Sequence, residues 1–251
     1  SRILLSLLDQ KAFDQSQLDF YLKMVSSIHS DYEKSRDLLA PMQKYTLATD
    51  QINRIMAATA TIKSDYEKSR VLTGLAGKGK FDESQMTNYL KVVDSMKSDY
   101  ERSRSLITLM NNNNLSGPSV TKALENISHP GNDYEKARLI TALAQSNKFD
   151  ESQMTAYLRV VDSMTGDFER SRCLLSLIEH NKLSDASLAK VLEAVTRTKS
   201  DYEKSRVLLA MADNYALAGA LRESYIKSAG SINSEFERNR ALAAVVKRGT
   251  L

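Results

Sequence analysis

The stretch Ser64-Asp-Tyr-Glu-Lys-Ser-Arg70 decides the fold, because near-copies of it recur along the whole chain at one spacing. Its closing arginine returns every 34 residues, from position 2 to position 240. A fixed period of this size is typical of a solenoid, in which short helical units stack along one axis. The sequence therefore predicts an all-α, right-handed α-solenoid of about eight 34-residue helix-turn-helix repeats. The other copies of this heptapeptide begin at Ser30, Ser98, Asn132, Gly166, Ser200 and Ser234.

The repeats predict one elongated domain over residues 1–251, with the core spread along its axis. Because the chain begins and stops inside a repeat, with no polar capping helix, we expect it to be a segment of a longer protein. The predicted repeats are 1–29 (partial), 30–63, 64–97, 98–131, 132–165, 166–199, 200–233 and 234–251 (partial).

Each repeat contains two helical patterns, which we call helix A and helix B. Ser64 and Glu67 form the pattern of a capping box, in which the hydroxyl and the carboxylate each accept a backbone N–H, and this predicts the start of helix A. Helix B begins at a cap such as Asp82, and its apolar stripe is Met86, Leu90 and Val93. The loop between the helices ends in an apolar residue that we expect to plug the hairpin: Phe13, Leu47, Phe81, Leu115, Phe149, Leu183, Leu217 or Leu251.

Several positions depart from the common pattern. Pro41 lies where an interior amide of helix A should bond, at a cost of about 3 kcal/mol unless that helix ends early. Pro130-Gly131 marks an altered link, and the last helix B, around 218–229, has no capping side chain. Two small positions on helix A, such as Ser69 and Gly74, predict close approach of a neighbouring helix.

Composition excludes several classes of protein. The 35 Lys and Arg residues are interspersed with 31 Asp and Glu, so the net charge of +4 is spread over a mixed surface and does not favour nucleic-acid binding. No run of about 18 apolar residues is present, so we expect no membrane-spanning helix. Cys173 occupies a position that is filled elsewhere by Ile3, Val71, Leu139 and Val207, which predicts a buried thiol.

The sequence contains no motif for catalysis, a cofactor or a metal. His29, His129 and His180 fall at unrelated positions of the repeat, and none belongs to a zinc-binding pattern. No glycine-rich phosphate loop is present, and the carboxylates at each helix start have capping roles. We therefore expect a protein that is not an enzyme and that has no cofactor.

The arginine that closes the heptapeptide and the glutamate three residues before it recur together, and two interpretations compete. They can form a structural ladder, in which each guanidinium bonds acids or carbonyls of its own or the adjacent repeat. Alternatively, the arginines can hold acidic or phosphorylated segments in a groove. The recurring acids favour the ladder, which comprises Arg36, Arg70, Arg104, Arg138, Arg172 and Arg206 with Glu33, Glu67, Glu101, Glu135, Glu169 and Glu203.

Tyrosines recur in alternate copies of helix B, at Tyr21, Tyr89, Tyr157 and Tyr225, so that they form an evenly spaced series. Tyrosine is favoured at interaction hot spots, and these four are the candidate partner-binding residues. The same position borders the apolar stripe, so packing in the core is the alternative. For the aromatic residue that follows Asp in the heptapeptide, exchange of Tyr and Phe predicts a core position.

The repeat is similar in layout to the tetratricopeptide repeat, whose signature residues it lacks. The pattern Ser-Asp-Tyr-Glu-Lys-Ser-Arg-x-Leu-Leu more closely resembles helical-repeat regions attached to bacterial membrane metallopeptidases of the antibiotic-sensor type. The resemblance implies a bacterial accessory or sensing region, compatible with a location outside the cytoplasm. The peptidase's zinc-binding motif is absent from this chain, so its activity is not carried over.

These observations favour a non-catalytic scaffold that binds a protein or peptide partner. Two alternatives stay open: a regulatory or sensing region of a membrane metallopeptidase, and a purely structural spacer. The partner and the oligomeric state are not indicated by the sequence.

Overall fold

The computed structural model describes residues 2–10, 13–128 and 131–248. Over these residues it contains fifteen helices and no strand, which confirms the predicted all-α helical-repeat solenoid. The helices are α1 (Arg2–Gln10), α2 (Gln15–Ser26), α3 (Asp31–Lys44), α4 (Thr49–Ala60), α5 (Asp65–Ala76), α6 (Glu83–Asp94), α7 (Asp99–Asn112), α8 (Gly117–Ser128), α9 (Asp133–Ser146), α10 (Glu151–Asp162), α11 (Asp167–His180), α12 (Asp185–Arg197), α13 (Asp201–Asn214), α14 (Gly219–Gly230) and α15 (Glu235–Arg248).

Odd-numbered helices are the predicted A helices and even-numbered helices the B helices. The chain forms two compact units, residues 1–126 and 127–251. In each unit, helix A of one repeat packs on helix A of the next, helix B packs on helix B, and the A helices contact one another more extensively. The single domain over 1–251 and the right-handed sense of the solenoid stay predictions.

The helix starts follow the predicted caps with one difference. Asp82 and Gln85 form the full capping box at α6. At α5, Ser64 Oγ accepts the N–H of Glu67 at 3.4 Å, but the Glu67 carboxylate does not return to the cap and bonds other groups instead. The helix-A capping box is therefore only half formed. Gly166 and Ala218 supply no capping side chain, as their residue types predict.

The core of each repeat lies between its two helices. In the repeat 64–97 it comprises Val71, Leu72 and Leu75 of α5 and the predicted stripe of α6, all buried. Phe81 is 7% exposed and its ring lies 5.7 Å from that of Tyr89, which confirms its role as a plug under the hairpin. The proposed plug at Leu251, and the altered link at Pro130, lie outside the described residues.

Pro41 lies inside α3 and does not end it, since α3 continues to Lys44. Proline has no N–H to donate to the carbonyl four residues earlier, which is that of Asp37. The hydroxyl of Tyr21, from the preceding helix B, donates to Asp37 O at 2.9 Å. A side chain thus satisfies the carbonyl that proline leaves open, and the helix is retained.

The small positions of helix A bring neighbouring A helices together, as predicted. A Cβ added to Gly74 would lie 2.6 Å from Leu39 Cδ2 of α3. On the other side of α5, Ser105 Oγ–H of α7 donates to Ser69 Oγ at 3.2 Å, and both serines are buried.

Candidate functional site

The four helix-B tyrosines lie in the core. Tyr89, Tyr157 and Tyr225 are 0% exposed and Tyr21 is 2% exposed. Each hydroxyl donates to a backbone carbonyl 16 residues further on, in helix A of the next repeat. Burial raises the pKa of the phenols of Tyr89, Tyr157 and Tyr225. A partner cannot reach a fully buried ring. These four tyrosines are therefore core residues and not the partner-binding residues that the sequence suggested.

The heptapeptide arginines form ion pairs inside their own helix. Arg70 Nη1 lies 2.8 Å from Glu67 Oε2, and Arg206 Nη1 lies 2.8 Å from Glu203 Oε2. Within the described part of the chain, Arg172 and Glu169 are the one predicted pair that does not form this contact. The remaining pairs are Arg36–Glu33 at 3.9 Å, Arg104–Glu101 at 3.7 Å, Arg138–Glu135 at 3.3 Å and Arg240–Glu237 at 2.9 Å.

Two of these glutamates, Glu67 and Glu203, connect neighbouring repeats. The hydroxyl of Ser35, in the preceding repeat, donates to the Glu67 carboxylate, and Ser171 donates to Glu203 in the same way. The carboxylate is thereby turned inward while the guanidinium stays outside: the exposed side-chain fraction is 10% for Glu67 and 28% for Arg70.

The heptapeptide aspartate also connects one repeat to the next. Asp65 Oδ2 accepts the backbone N–H groups of Lys97 and Ser98 at 2.7 and 2.8 Å, in the turn that leads into the next helix A. The sequence assigns this aspartate only to the start of its own helix, because its donors lie 32 and 33 residues away. The same contact is made by Asp31, Asp133, Asp167 and Asp201.

At Asp133 this contact changes the pKa of the carboxyl group. Partial burial acts to raise the pKa of the carboxyl, but hydrogen bonds from the Gly166 N–H and from the hydroxyl and N–H of Thr165 outweigh it. The net effect is a lowered pKa, because these donors bind the ionised form.

Where the fifth residue of the heptapeptide is lysine, it joins the two helices of its own repeat. Lys68 Nζ donates to Ser95 Oγ at 3.0 Å, at the end of helix B of the same repeat. Lys34, Lys136 and Lys204 make the equivalent contact 27 residues along the chain. Cap, aspartate, glutamate, lysine and small serine are thus all engaged within the fold. The aromatic residue and the arginine are left on the outer side of the helix.

The aromatic residue of the heptapeptide is exposed, which corrects the prediction that it belongs to the core. Its exposed fraction ranges from 54% at Tyr66 to 70% at Phe236. Tyr66 lies on the same side of α5 as Arg70, four residues later, and not on the side of Leu72 and Leu75. The helical spacing in the sequence indicates this outward position. The exchange of Tyr and Phe, which we interpreted as a sign of the core, led to the wrong prediction. The exposed aromatics are Tyr32, Tyr66 and Tyr100 in residues 1–126 and Tyr134, Phe168, Tyr202 and Phe236 in residues 127–251.

The arginine stacks on the exposed ring. Arg70 Cζ lies 5.8 Å from the ring centroid of Tyr66, within range of a cation–π contact. The equivalent distances are 5.6 Å for Arg36 over Tyr32, 5.7 Å for Arg206 over Tyr202 and 5.7 Å for Arg240 over Phe236. We call the exposed aromatics and the arginines four residues after them the A-face row. Each compact unit carries its own part of this row.

Beyond the arginine, the outer side of helix A is small or apolar. In the unit 1–126 the next half-exposed positions are Leu39 and Ala40 in α3, Thr73 and Gly74 in α5, and Ile107 in α7. Along the outer side of each A helix, an aromatic residue is therefore followed by an arginine and then by small or apolar side chains.

A cleft of about 430 Å³ lies between the loops of repeats 30–63 and 64–97. Apolar side chains, including Leu47, Leu75 and Phe81, line it together with Lys78. Gly79 opens this space, because a Cβ added there would meet nothing within 4 Å, whereas Tyr45 occupies the same repeat position one copy earlier.

Among the described residues, no group of His, Cys, Asp or Glu is arranged to hold a metal ion. His129 lies outside them, and His180 Nδ1 lies 3.0 Å from Ser176 O in its own helix. Burial raises the pKa of the Cys173 thiol to about 12. In the same part of the chain, no helix has both the length and the apolar character needed to cross a membrane.

No protein-family model and no curated protein sequence matches the chain. Among solved structures, it is similar to an engineered protein, with 14% identity and a TM-score of 0.44 over 91% of this chain and 71% of the other. It is also similar to a computationally designed self-assembling cyclic homo-oligomer, with 14% identity and a TM-score of 0.19 over 99% of this chain and 81% of the other.

Proposed function

We propose that this chain is a non-catalytic scaffold that binds a protein or peptide partner through the A-face row. The observation that supports this function is an exposed aromatic ring, stacked with an arginine in four of the repeats, at every 34-residue step. Tyrosine and arginine are the residue types most enriched at interaction hot spots. Their recurrence on one side of the A helices gives a partner several equivalent contacts in each compact unit.

Four arginines of the row, Arg36, Arg70, Arg206 and Arg240, are also held in place by a ring and a glutamate before a partner arrives. Arg70 contacts the Tyr66 ring on one side and Glu67 on another. A side chain whose rotamer is already fixed loses less conformational entropy on binding, and that loss is about 0.5–1.5 kcal/mol for a free long side chain. The row thus combines exposed apolar area with preorganised cations.

Selection from a random peptide library against the full chain tests this function. The selected peptides should bind a Tyr66→Ser/Tyr100→Ser variant at least about tenfold more weakly than the native chain, a loss of about 1.4 kcal/mol. The matched control is Arg54→Gln/Lys91→Gln, at exposed positions on the B helices of the same compact unit, which should leave affinity unchanged. Peptides that bind all three proteins equally would reject the A-face row. A library that yields no binder would favour the structural spacer.

A second candidate, a sensing region of a bacterial membrane metallopeptidase, rests on the resemblance of the heptapeptide pattern. It expects a His-Glu-x-x-His motif and membrane-spanning helices in the gene that encodes this chain. Sequencing that gene tests it, and a gene without either feature would reject it.

A further inference from the structure

The spacing of the A-face row restricts the conformation of a peptide that could follow it. In residues 1–126 the A helices approach closely, as the contacts of Gly74 with Leu39 and of Ser69 with Ser105 show. Helices packed in this way have axes about 8–10 Å apart, so the aromatic–arginine pairs recur at about that distance. A polyproline II peptide advances about 3.1 Å per residue and about 9.3 Å per three-residue turn. Every third residue of such a peptide would therefore face a new pair.

In two pairs of residues 1–126, Arg70–Glu67 and Arg104–Glu101, the arginine is more exposed than the glutamate, so the exposed charge is positive although the formal charge is zero. At the third pair Glu33 is more exposed than Arg36, so this pair does not contribute. In the repeat 98–131 the exposed side-chain fraction is 42% for Arg104 and 10% for Glu101. At Arg70, the contact with Glu67 uses Nη1, and among the described residues Arg70 forms no ion pair with a second acid. Guanidinium donors of this kind match carboxylates. Lys63 and Lys97, exposed just before the caps of α5 and α7, add further positive charge.

We propose that the A-face row of residues 1–126 binds an extended, proline-rich acidic peptide in which a carboxylate recurs at every third residue. Successive carboxylates accept from Arg70 and Arg104, and the intervening prolines pack on the rings of Tyr32, Tyr66 and Tyr100. Proline suits both requirements, because it favours the polyproline II conformation and docks on exposed aromatic rings. This inference rests on the proposed function and specifies its partner.

The test uses the full chain and three fluorescein-labelled synthetic peptides, with binding followed by fluorescence anisotropy. The probe is (Glu-Pro-Pro)5. One control, (Gln-Pro-Pro)5, removes the charge, and the other, (Glu-Pro-Pro-Pro)5, keeps all five carboxylates but changes their spacing. We expect each control to bind at least about tenfold more weakly than the probe. Raising the ionic strength from 0.05 to 0.5 M should also lower the affinity for (Glu-Pro-Pro)5. Salt screens exposed charges, and the Debye length is about 10 Å at 0.1 M.

Variants locate the binding surface. Arg70→Gln/Arg104→Gln should lower affinity for (Glu-Pro-Pro)5 by about tenfold, whereas the B-helix variant Arg54→Gln/Lys91→Gln, which removes the same amount of charge, should leave it unchanged. Circular dichroism and thermal melting check that each variant is folded, and Tyr66→Ser/Tyr100→Ser gives a second, uncharged test of the same row.

Equal binding of (Glu-Pro-Pro)5 and either control peptide would overturn this inference, as would equal weakening by the A-helix and B-helix variants. Library peptides that depend on Tyr66 and Tyr100 but lack the acidic three-residue pattern would overturn it while leaving the proposed function intact. If no peptide of either kind depends on these tyrosines, both proposals fail.

Discussion

At the scale of single residues, the heptapeptide places bonding residues on the inner side of helix A and exposed residues on its outer side. Asp65, Glu67 and Lys68 each bond a group in a neighbouring repeat or in helix B. Tyr66 and Arg70 face outward and contact each other. Recurrence along a chain therefore does not by itself mean that a residue serves only stacking, since one motif here supplies both the joints and an exposed surface.

The aspartate that joins repeats gives a prediction on stability. Asp133→Ala removes the acceptor of the Thr165 and Gly166 N–H groups, and we expect it to lower the free energy of unfolding by about 1–2 kcal/mol at pH 7, because bonds to a charged acceptor are lost. Urea denaturation measures this, with Asp185→Ala, an exposed first-turn aspartate of the same compact unit, as the control that costs less.

The same aspartate predicts a pH dependence. The folded-state pKa of Asp133 is lowered, so its contribution is present above the ordinary Asp pKa of about 3.9 and is lost as pH falls below it. The difference in stability between the native chain and Asp133→Ala should therefore shrink from pH 7 to pH 3. A difference that stays constant over this range would contradict the role of the ionised carboxylate.

Cys173 should be unreactive in the folded chain. The thiol is 0% exposed and burial raises its pKa to about 12, so almost no thiolate is present at pH 8. We expect no reaction with a disulfide reagent under native conditions and one equivalent in urea. Rapid labelling of the native chain would show that helix α11 opens readily.

At the scale of helices, the buried tyrosines join helix B to helix A of the next repeat. The contribution of each hydroxyl to stability depends on whether its acceptor carbonyl also has a helical N–H donor. Ser105 lies in an uninterrupted helix, so its carbonyl keeps a helical partner when Tyr89 is changed. The Asp37 carbonyl faces Pro41, which has no N–H.

This difference can be measured with two matched variants in one compact unit. Tyr89→Phe should cost about 1 kcal/mol of unfolding free energy, and Tyr21→Phe about 2 kcal/mol, because only the latter leaves a buried carbonyl without this donor. Introducing Pro41→Ala should reduce the cost of Tyr21→Phe to that of Tyr89→Phe. Equal costs in the starting background would contradict the role assigned to the Tyr21 hydroxyl.

At the scale of the whole molecule, buried phenols recur in both compact units. We expect them to determine the pH above which the folded chain loses stability. The pKa values of Tyr89, Tyr157 and Tyr225 are raised in the folded chain, so the unfolded chain releases these protons first. Their contribution is complete below the ordinary Tyr pKa of about 10 and is lost as pH rises above it. Urea midpoints measured from pH 8 to pH 11.5 should therefore fall above pH 10, and less steeply in Tyr89→Phe/Tyr157→Phe.

The sequence by itself determined the helical-repeat fold. A 34-residue period, a cap at each helix start and an apolar stripe on each helix are local or periodic signals, and they place α5, α6 and their core side chains correctly, except for the exposed Tyr66. The same signals identified Cys173 as buried, because several of its equivalents, such as Val71, Leu139 and Val207, are aliphatic.

Only the tertiary structure decided which aromatic residues are exposed and which carboxylates join repeats. Tyr89 borders an apolar stripe, where a tyrosine can be buried or exposed, and the packing of the next repeat buries it, whereas Tyr66 stays in solvent. The contacts of Asp65 and Glu67 link groups more than 30 residues apart, so local spacing cannot show them. The outward side of the repeat, and with it the candidate site, follows from what the neighbouring repeat covers.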